Sequence, residues 1–144
     1  MRDIKFRGKT IGDGKWIYGY LMNMHDDDRL FIGTWKNIGG EATIKDELFF
    51  SYKEVDPKTV GQYIGLKDSK GVEIYKGDII EGNLIKYSPL PTMGEVVWDS
   101  YWASFANKNE AGNTLLQEID LIRVIGNLYE RPEFLQTTND PAPG

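Results

Sequence analysis

Apolar and polar residues alternate with a period of two along much of the chain, which is the pattern of a β-strand with one buried face. In the segment KWIYGYLM, the side chains of Trp16, Tyr18 and Tyr20 therefore fall on the same face of an extended strand. Residues 4–9 alternate in the same way, and the turn-rich segment 11–14 lies between the two runs. Together these segments predict an N-terminal β-hairpin.

Strand-length runs recur through the rest of the sequence, with glycine-containing turns between them and with few stretches of helical periodicity. This pattern predicts a mainly β protein in which helix is confined to short turns near Asp56-Pro57 and Pro132. A polar loop is predicted over residues 107–113. The further predicted strands are RLFIGTW (29–35), LFFSYKEV (48–55), 63–67, 72–75, IIEGNLIKY (79–87), EVVWD (95–99), SYWASF (100–105), TLLQEI (114–119) and LIRVIGNLY (121–129).

The dipeptide Asp56-Pro57 marks the predicted boundary between two parts of the fold, because Asp caps and Pro opens short helical turns. We expect an N-terminal β-sheet sub-domain over residues 1–55, packed on a small barrel-like β sub-domain over residues 56–135. A mobile tail is expected over residues 136–144. The strand RLFIGTW is expected at a sheet edge, since it is short and lies between two loops. Its apolar content predicts a homo-oligomer formed through strand contacts.

Three blocks of the sequence resemble the YopX family of phage and prophage proteins. They are MRDIKFRGK at the start, VDPKTVGQYIGLKDSKGVEIYKGDII in the middle and VIGNLYERPEFL near the end. The resemblance implies a mostly β structure and a bacteriophage or prophage origin, and it brings no catalytic residue with it. Glycines stand at many of the sharpest positions of the middle block, which indicates turn geometry more than chemistry. The residues interpreted as structural turns are Gly65, Asp68, Gly71, Gly77 and Asp78.

The composition indicates a cellular compartment and excludes several kinds of chemistry. The chain has 144 residues, a net charge of −5 and no cysteine. The lack of cysteine excludes disulfides, thiolate zinc sites and a cysteine nucleophile, and it fits the cytoplasm of a bacterial host. No apolar run approaches the ~18 residues of a membrane span, so we expect no membrane association through a helix. The negative net charge disfavours binding to nucleic acid.

The segment MNMHDDD holds the only histidine, His25, beside three aspartates that invite comparison with a metal site. Contiguous residues of an extended chain point to opposite faces, so Asp26, Asp27 and Asp28 cannot all converge on one ion. The alternate spacing of a calcium-binding loop is absent. We therefore interpret this segment as a solvated loop and expect neither a metal nor another cofactor.

Carboxylate chemistry is the enzymatic alternative, because a hydrolase can work with two acidic side chains. The acidic residues Asp78, Glu81, Glu95 and Asp99 lie on or near neighbouring predicted strands. The simpler expectation is that these side chains alternate outward into solvent. No nucleophile motif such as G-x-S-x-G is present.

Aromatic residues give the candidate binding site. Trp98, Tyr101 and Trp102 lie within five positions of one another, in WDSYWASF. A small domain needs large apolar groups in its interior, which favours a core position for both tryptophans. The alternative is a surface that docks a protein or stacks bases. Residues 95–107 contain no Lys or Arg, which favours a protein partner over nucleic acid.

The sequence thus favours a non-catalytic phage accessory protein that acts through contacts with an unidentified host or phage protein. A nucleic-acid-associated phage regulator is the second hypothesis, and a carboxylate-dependent hydrolase is the third.

Overall fold

The computed structural model describes residues 3–24, 27–37, 48–87, 90–131 and Glu133. The fold is mainly β, as predicted, and every strand pair is antiparallel. The strands are β1 (Phe6–Lys9), β2 (Trp16–Met22), β3 (Leu30–Asn37), β4 (Leu48–Val55), β5 (Gly61–Lys67), β6 (Glu73–Tyr75), β7 (Asp78–Leu84), β8 (Leu90–Asp99), β9 (Ser104–Asn109), β10 (Gly112–Leu115) and β11 (Ile119–Asn127).

Among the described residues, 3-10 turns lie at Pro57–Thr59, Ile85–Tyr87 and Leu116–Glu118. The second and third occupy parts of the predicted strands 79–87 and 114–119, so the prediction that helix is confined to Asp56-Pro57 and Pro132 is wrong. The first of them confirms the helical turn that Asp56-Pro57 predicted, and the Asp56 side chain accepts a hydrogen bond from the Lys58 N–H there. Of the predicted turn at Pro132 the structure describes Glu133, which is helical, and the predicted mobile tail over 136–144 lies outside the described residues.

Two predictions about the region after β8 are wrong. Residues 100–103 of the predicted strand SYWASF form a turn. The predicted polar loop over 107–113 contains the end of β9 and the start of β10, which pair with each other from Asn109 and Gly112 onward. The polar side chains of Asn107 and Asn109 made this segment look like a loop. In the sheet both side chains are hydrogen-bonded to Thr92.

The chain divides into two compact units, Met1–Gln62 and Tyr63–Gly144, which are called here the N-terminal and the C-terminal unit. The division falls within β5. The predicted sub-domain boundary after residue 55 stays a prediction.

In the N-terminal unit the strands lie in the order β4-β3-β2-β1, and Gly61 and Gln62 pair with the outer side of β1. The end of β4 also meets the end of the first hairpin, because Thr10 and Val55 form an antiparallel bridge. Gly8 allows this approach, since a Cβ atom at Gly8 would lie 3.0 Å from the Cβ of Val55. Val55 and Ile32 are consequently buried at this junction.

Strand β3 lies in the interior of this sheet, which corrects the prediction that it is an edge. It pairs with β2 through Tyr20 and Gly33 and with β4 along its whole length. Phe31 is only 8% exposed, so its apolar side chain is covered by its own unit. The expected homo-oligomer can therefore not form through an edge at β3.

The C-terminal unit contains the β5–β6 pair and a five-stranded ladder in the order β10-β9-β8-β7-β11. The last strand of the chain returns to lie beside β7. The main core cluster of this unit is aliphatic, with Phe105 packed at its border, and the rings of Tyr63 and Tyr75 are buried as well, with their centroids 5.5 Å apart. The buried side chains of this core are Ile64, Ile74, Ile80, Val96, Leu116 and Ile119.

Candidate functional site

The turn between β8 and β9 exposes three large aromatic side chains, which form the aromatic tip (Trp98, Tyr101 and Trp102). Strands β8 and β9 pair from Glu95 opposite Lys108 as far as Asp99 opposite Ser104. The exposed fractions of the three aromatic residues are 50% for Trp98, 84% for Tyr101 and 61% for Trp102. The expectation that both tryptophans fill the core is therefore wrong, and the surface alternative describes their positions.

Asp99 gives the tip its backbone conformation. One carboxylate oxygen accepts hydrogen bonds from the N–H groups of Tyr101 and Trp102, at 2.9 and 3.2 Å. The other oxygen accepts from the Asn113 amide of β10 at 3.0 Å. The hydrogen bonds from Asn113 and the two backbone N–H groups outweigh desolvation and hold the pKa of Asp99 below its usual range. The carboxylate thus stays ionised and bonded at neutral pH.

The rings of the tip are arranged edge to face. The ring centroids of Tyr101 and Trp102 lie 4.9 Å apart with an interplanar angle of 83°. Trp98 lies against its cross-strand neighbour Phe105 at 5.1 Å and 76°. Phe105 in turn packs against the aliphatic core. Contacts of this kind favour a defined ring orientation, so the tip presents apolar surface on a supported base.

A second aromatic surface lies in the N-terminal unit, and the sequence analysis found only one strand of it. Alternation along the paired strands places Tyr20, Gly33 and Tyr52 side by side on one face of the sheet, with Trp35 opposite Phe50 next to them. We call this surface the aromatic face; it consists of Tyr18, Tyr20, Trp35, Phe50 and Tyr52. All but the half-buried Phe50 are about half exposed. The segment LFFSYKEV could have indicated this face, because alternation places Phe50 and Tyr52 on the same side of the strand. In the sheet they lie opposite Trp35 and Gly33.

Phe50 lies at the centre of this face. Its ring covers Gly33, where a Cβ atom would lie 2.7 Å from the ring carbons. Ring centroids lie at 5.2 Å from Phe50 to Trp35, 6.3 Å to Tyr52 and 6.5 Å to Tyr20. The face is therefore a connected cluster and not a set of isolated rings.

Two cations extend this side of the sheet into β1. The guanidinium of Arg7 lies 4.9 Å from the ring centroid of Trp16, and the ammonium of Lys9 lies 5.7 Å from it. Arg7 is buried, so its charge acts mainly on the ring beneath it.

The residues interpreted as structural turns lie in the C-terminal unit, where Asp68 and Asp78 satisfy backbone donors. One oxygen of Asp68 accepts from the N–H groups of Lys70 and Val72 at 2.8 and 2.9 Å, and the other accepts from Val124 of β11 at 3.0 Å. Asp78 is buried and accepts from the Tyr75 N–H at 2.7 Å. Both carboxylates therefore hold turns in place.

Three of the predicted turn glycines have positive φ angles, at 87° for Gly65, 85° for Gly71 and 94° for Gly77. A residue with a side chain is strained in this region. Gly77 is further restricted, because a Cβ atom there would lie 3.2 Å from the Tyr129 ring. Gly71 and Gly77 lie in a bend and a turn, whereas Gly65 lies inside β5, where the pairing with β6 shifts register between Tyr63 and Lys67.

The four acidic residues weighed as catalytic candidates have separate environments. Asp78 and Asp99 hold backbone as described, and the carboxylate of Glu81 is paired with Arg123. Desolvation raises the pKa of Glu95 against the opposing attraction of Lys108 and Lys76. Glu81 lines an open cleft of ≈ 470 Å³ with Arg123 and the bulged Leu121, and it is the one carboxylate in that lining.

The predicted metal-free loop is described only in part. His25 and Asp26 lie outside the described residues, and the carboxylate of Asp27 is hydrogen-bonded to the Arg29 Nε at 2.9 Å. In the ranges that the structure describes, no group of three or more metal-ligating side chains comes together. Within the same ranges, no helix has the length and hydropathy that crossing a bilayer requires.

Comparison with known proteins identifies the family. Solved structures that match include the crystal structure of protein EF1440 from Enterococcus faecalis, at a TM-score of 0.58 and 24% sequence identity, covering 94% of this chain and 99% of that chain. At this identity the likeness shows a shared fold. No curated protein matches the chain. A family model described as "YopX protein" matches residues 5–136, nearly the whole chain. The chain therefore belongs to the YopX family.

Proposed function

We propose that the chain is a non-catalytic phage accessory protein that binds a partner protein through the aromatic tip. The observation that carries this proposal is the exposure of Trp98 at the end of β8 and of Tyr101 and Trp102 on the following turn, whose N–H groups donate to the Asp99 carboxylate. The family's association with phages and the lack of cysteine support a site of action in the cytoplasm of the bacterial host.

The tip has the properties of a binding anchor. Tryptophan and tyrosine dominate the energetics of many protein interfaces, because each buries a large area while losing few rotamers. Exposed tryptophan rings in water cost free energy that a partner's apolar pocket recovers. A turn fixed before binding loses less conformational entropy when the partner docks. The partner is therefore expected to offer an apolar pocket for Tyr101 and Trp102.

Charge separates this proposal from the nucleic-acid hypothesis. Residues 63–144 carry seven Lys and Arg against twelve Asp and Glu, whereas residues 1–62 carry ten of each, so the net charge of −5 belongs to the C-terminal unit. A phosphate backbone is repelled by such a unit, and stacking sites for single strands combine aromatic rings with basic side chains. No basic residue lies between 95 and 107.

The experiment is affinity capture from phage-infected bacteria, followed by binding measurements with the purified partner. Trp102→Ala is expected to weaken binding at least tenfold. Ile85→Ala is the matched control, since Ile85 is also an exposed apolar side chain of the C-terminal unit, at 55%. Asp99→Ala is expected to weaken binding less than Trp102→Ala does, because it loosens the turn while keeping the rings.

A partner that binds Trp102→Ala as tightly as the wild type would overturn the proposal. Titration with single-stranded oligonucleotides provides the alternative outcome, with tryptophan fluorescence as the readout. Quenching that weakens steeply with salt would support the nucleic-acid regulator instead.

A further inference from the structure

Strand β4 has one side that is only partly paired. It pairs with β3 along its whole length. On its other side, the Glu54 C=O accepts from the Ile11 N–H at 3.1 Å, and the Asp56 N–H donates to the Lys9 C=O at 2.8 Å. The first hairpin turns away after Thr10 and leaves an open cleft between its turn and Lys53 and Glu54.

The direction of the remaining backbone groups follows from these bonds. The N–H and C=O of a strand residue point to the same side, and successive residues alternate. Because the Glu54 C=O points away from β3, the N–H and C=O groups of Tyr52 and Phe50 do so as well. No strand of the described residues pairs with β4 at these two positions. They form a short edge with four backbone groups available for bonding.

This edge lacks the devices that commonly protect such strands. Natural edges carry lysine, proline or inward-pointing charges that prevent pairing with another chain. The segment Leu48–Tyr52 (LFFSY) contains no charged residue and no proline. It also carries Phe50 and Tyr52 of the aromatic face, so that an added strand would cover apolar rings as well as backbone.

We propose that β4 pairs with β4 of a second copy of this chain, antiparallel about a two-fold axis at Ser51. In this register Phe50 of one copy lies opposite Tyr52 of the other, as a hydrogen-bonded pair on each side of the axis. The outward N–H and C=O groups of both residues are then satisfied, and two aromatic cross-strand pairs form on one face.

The register is compatible in charge over residues 49–53, and the pairing ends there because the Glu54 C=O already accepts from the Ile11 N–H. Lys53 of one copy lies opposite Phe49 of the other, so no two like charges face each other across the axis. The N-terminal unit carries ten basic and ten acidic residues, which limits repulsion between copies. An isologous contact that occupies this edge in both copies closes as a dimer. The inference concerns the N-terminal unit and does not depend on the aromatic tip.

Engineered cysteines test the register directly, because the chain has none of its own. Ser51 faces its own counterpart as a non-hydrogen-bonded pair, with Cα atoms about 4.5 Å apart, which suits a disulfide. Ser51→Cys is therefore expected to give a covalent dimer under mild oxidation. Lys53→Cys is the matched control on the same strand face; its counterpart would lie about 14 Å away, so it should stay unlinked.

The second measurement is the mass in solution by light scattering. The wild type is expected at twice the chain mass of 16.4 kDa at micromolar concentration. Tyr52→Pro removes a donor that points away from β3, so it should weaken self-association at least tenfold while retaining the β-type circular dichroism spectrum. Tyr52→Thr keeps the donor and should weaken it less.

A mass of 16.4 kDa at every concentration would overturn the proposal, as would equal cross-linking of Ser51→Cys and Lys53→Cys. If Tyr52→Pro fails to fold, the two cysteine variants still decide the matter. If the wild-type chain dimerises but its aromatic tip binds no partner, the proposed function is wrong and the dimer proposal stands.

Discussion

The N-terminal and C-terminal units support their exposed aromatic residues in different ways. In the N-terminal unit, rings from three strands meet on a sheet face, where Phe50 contacts Trp35, Tyr20 and Tyr52. In the C-terminal unit the main core cluster is aliphatic, the rings of Tyr63 and Tyr75 are buried beside each other, and the most exposed rings are on a turn. Side-chain neighbours hold the first group, whereas a carboxylate bonded to the backbone supports the second.

This difference separates stability from availability for binding. A ring packed among other rings contributes to the stability of its own unit, so its removal leaves a cavity. A ring on a turn that a carboxylate fixes contributes little to folding, so it is free to contribute to a partner. The same residue types therefore have different roles, because one group lies on paired strands and the other on a turn.

The largest effect is expected from Asp68→Ala in the C-terminal unit. Three backbone N–H groups lose their acceptor, which is expected to lower the free energy of unfolding by about 3 kcal/mol. Asp68→Asn keeps one amide oxygen and should lose less. Urea unfolding followed by circular dichroism measures both. Thr59→Val removes the acceptor of the Lys9 N–H in the N-terminal unit. A comparable loss for this variant would show that side-chain acceptors of backbone N–H groups matter equally in both units.

The carboxylate of Asp68 also makes the stability of the wild type depend on pH. Burial opposes ionisation, but hydrogen bonds from Val124, Val72 and Lys70 outweigh it and lower the pKa of Asp68 below its ordinary value of 3.8. A depressed pKa adds stability above the ordinary value, and this stability is lost as the pH falls through the folded-state value. The difference between wild type and Asp68→Asn should therefore shrink below about pH 3.8.

An intermediate effect is expected from truncating one ring in each unit. Phe50→Ala should lower the free energy of unfolding by about 2 kcal/mol, because it opens the centre of the aromatic face. Tyr101→Ala should change it by less than about 0.5 kcal/mol, since that ring is mostly in solvent. Thermal unfolding at low protein concentration compares them. Equal losses would show that the tip belongs to the folded core.

The smallest effect is expected from Glu95→Gln. Desolvation raises the pKa of Glu95 despite Lys108 and Lys76, so its charged form is less favourable in the folded state than in the unfolded state. The substitution should therefore stabilise the chain at pH 7, by less than about 1 kcal/mol after solvent screening. This gain should vanish as the pH falls below about 4.5, where the unfolded chain binds the same proton. A loss of stability at pH 7 would contradict the sign.

The sequence predicted the strands with strong alternation well. LFFSYKEV coincides with β4, and KWIYGYLM contains β2. Position in the sheet was less predictable, because alternation does not say which strand lies beside which. The strand RLFIGTW looked like an edge and proved to be interior, whereas β4 has the partly open side.

The candidate site was identified by residue type but not by exposure. The sequence predicted the strands EVVWD and SYWASF, but residues 100–103 of the second form the turn, which Ala103 completes with a φ of 49°. Asp99, two and three residues before the N–H groups that it accepts from, was the available turn signal. The buried Asn107 concealed β9, because a polar residue on a core-facing position breaks the apolar alternation.

The position of β11 has a consequence for the order in which the protein is made. β11 pairs with β7, so Asn127 meets Asp78 and Val124 donates to Asp68 across 56 residues of chain. On the ribosome the N-terminal unit can close its sheet once Val55 meets Thr10. The C-terminal unit must wait until β11 has emerged, and until then the side of β7 that β11 pairs with stays uncovered. Synthesis therefore imposes a sequence of folding events that the finished molecule no longer displays.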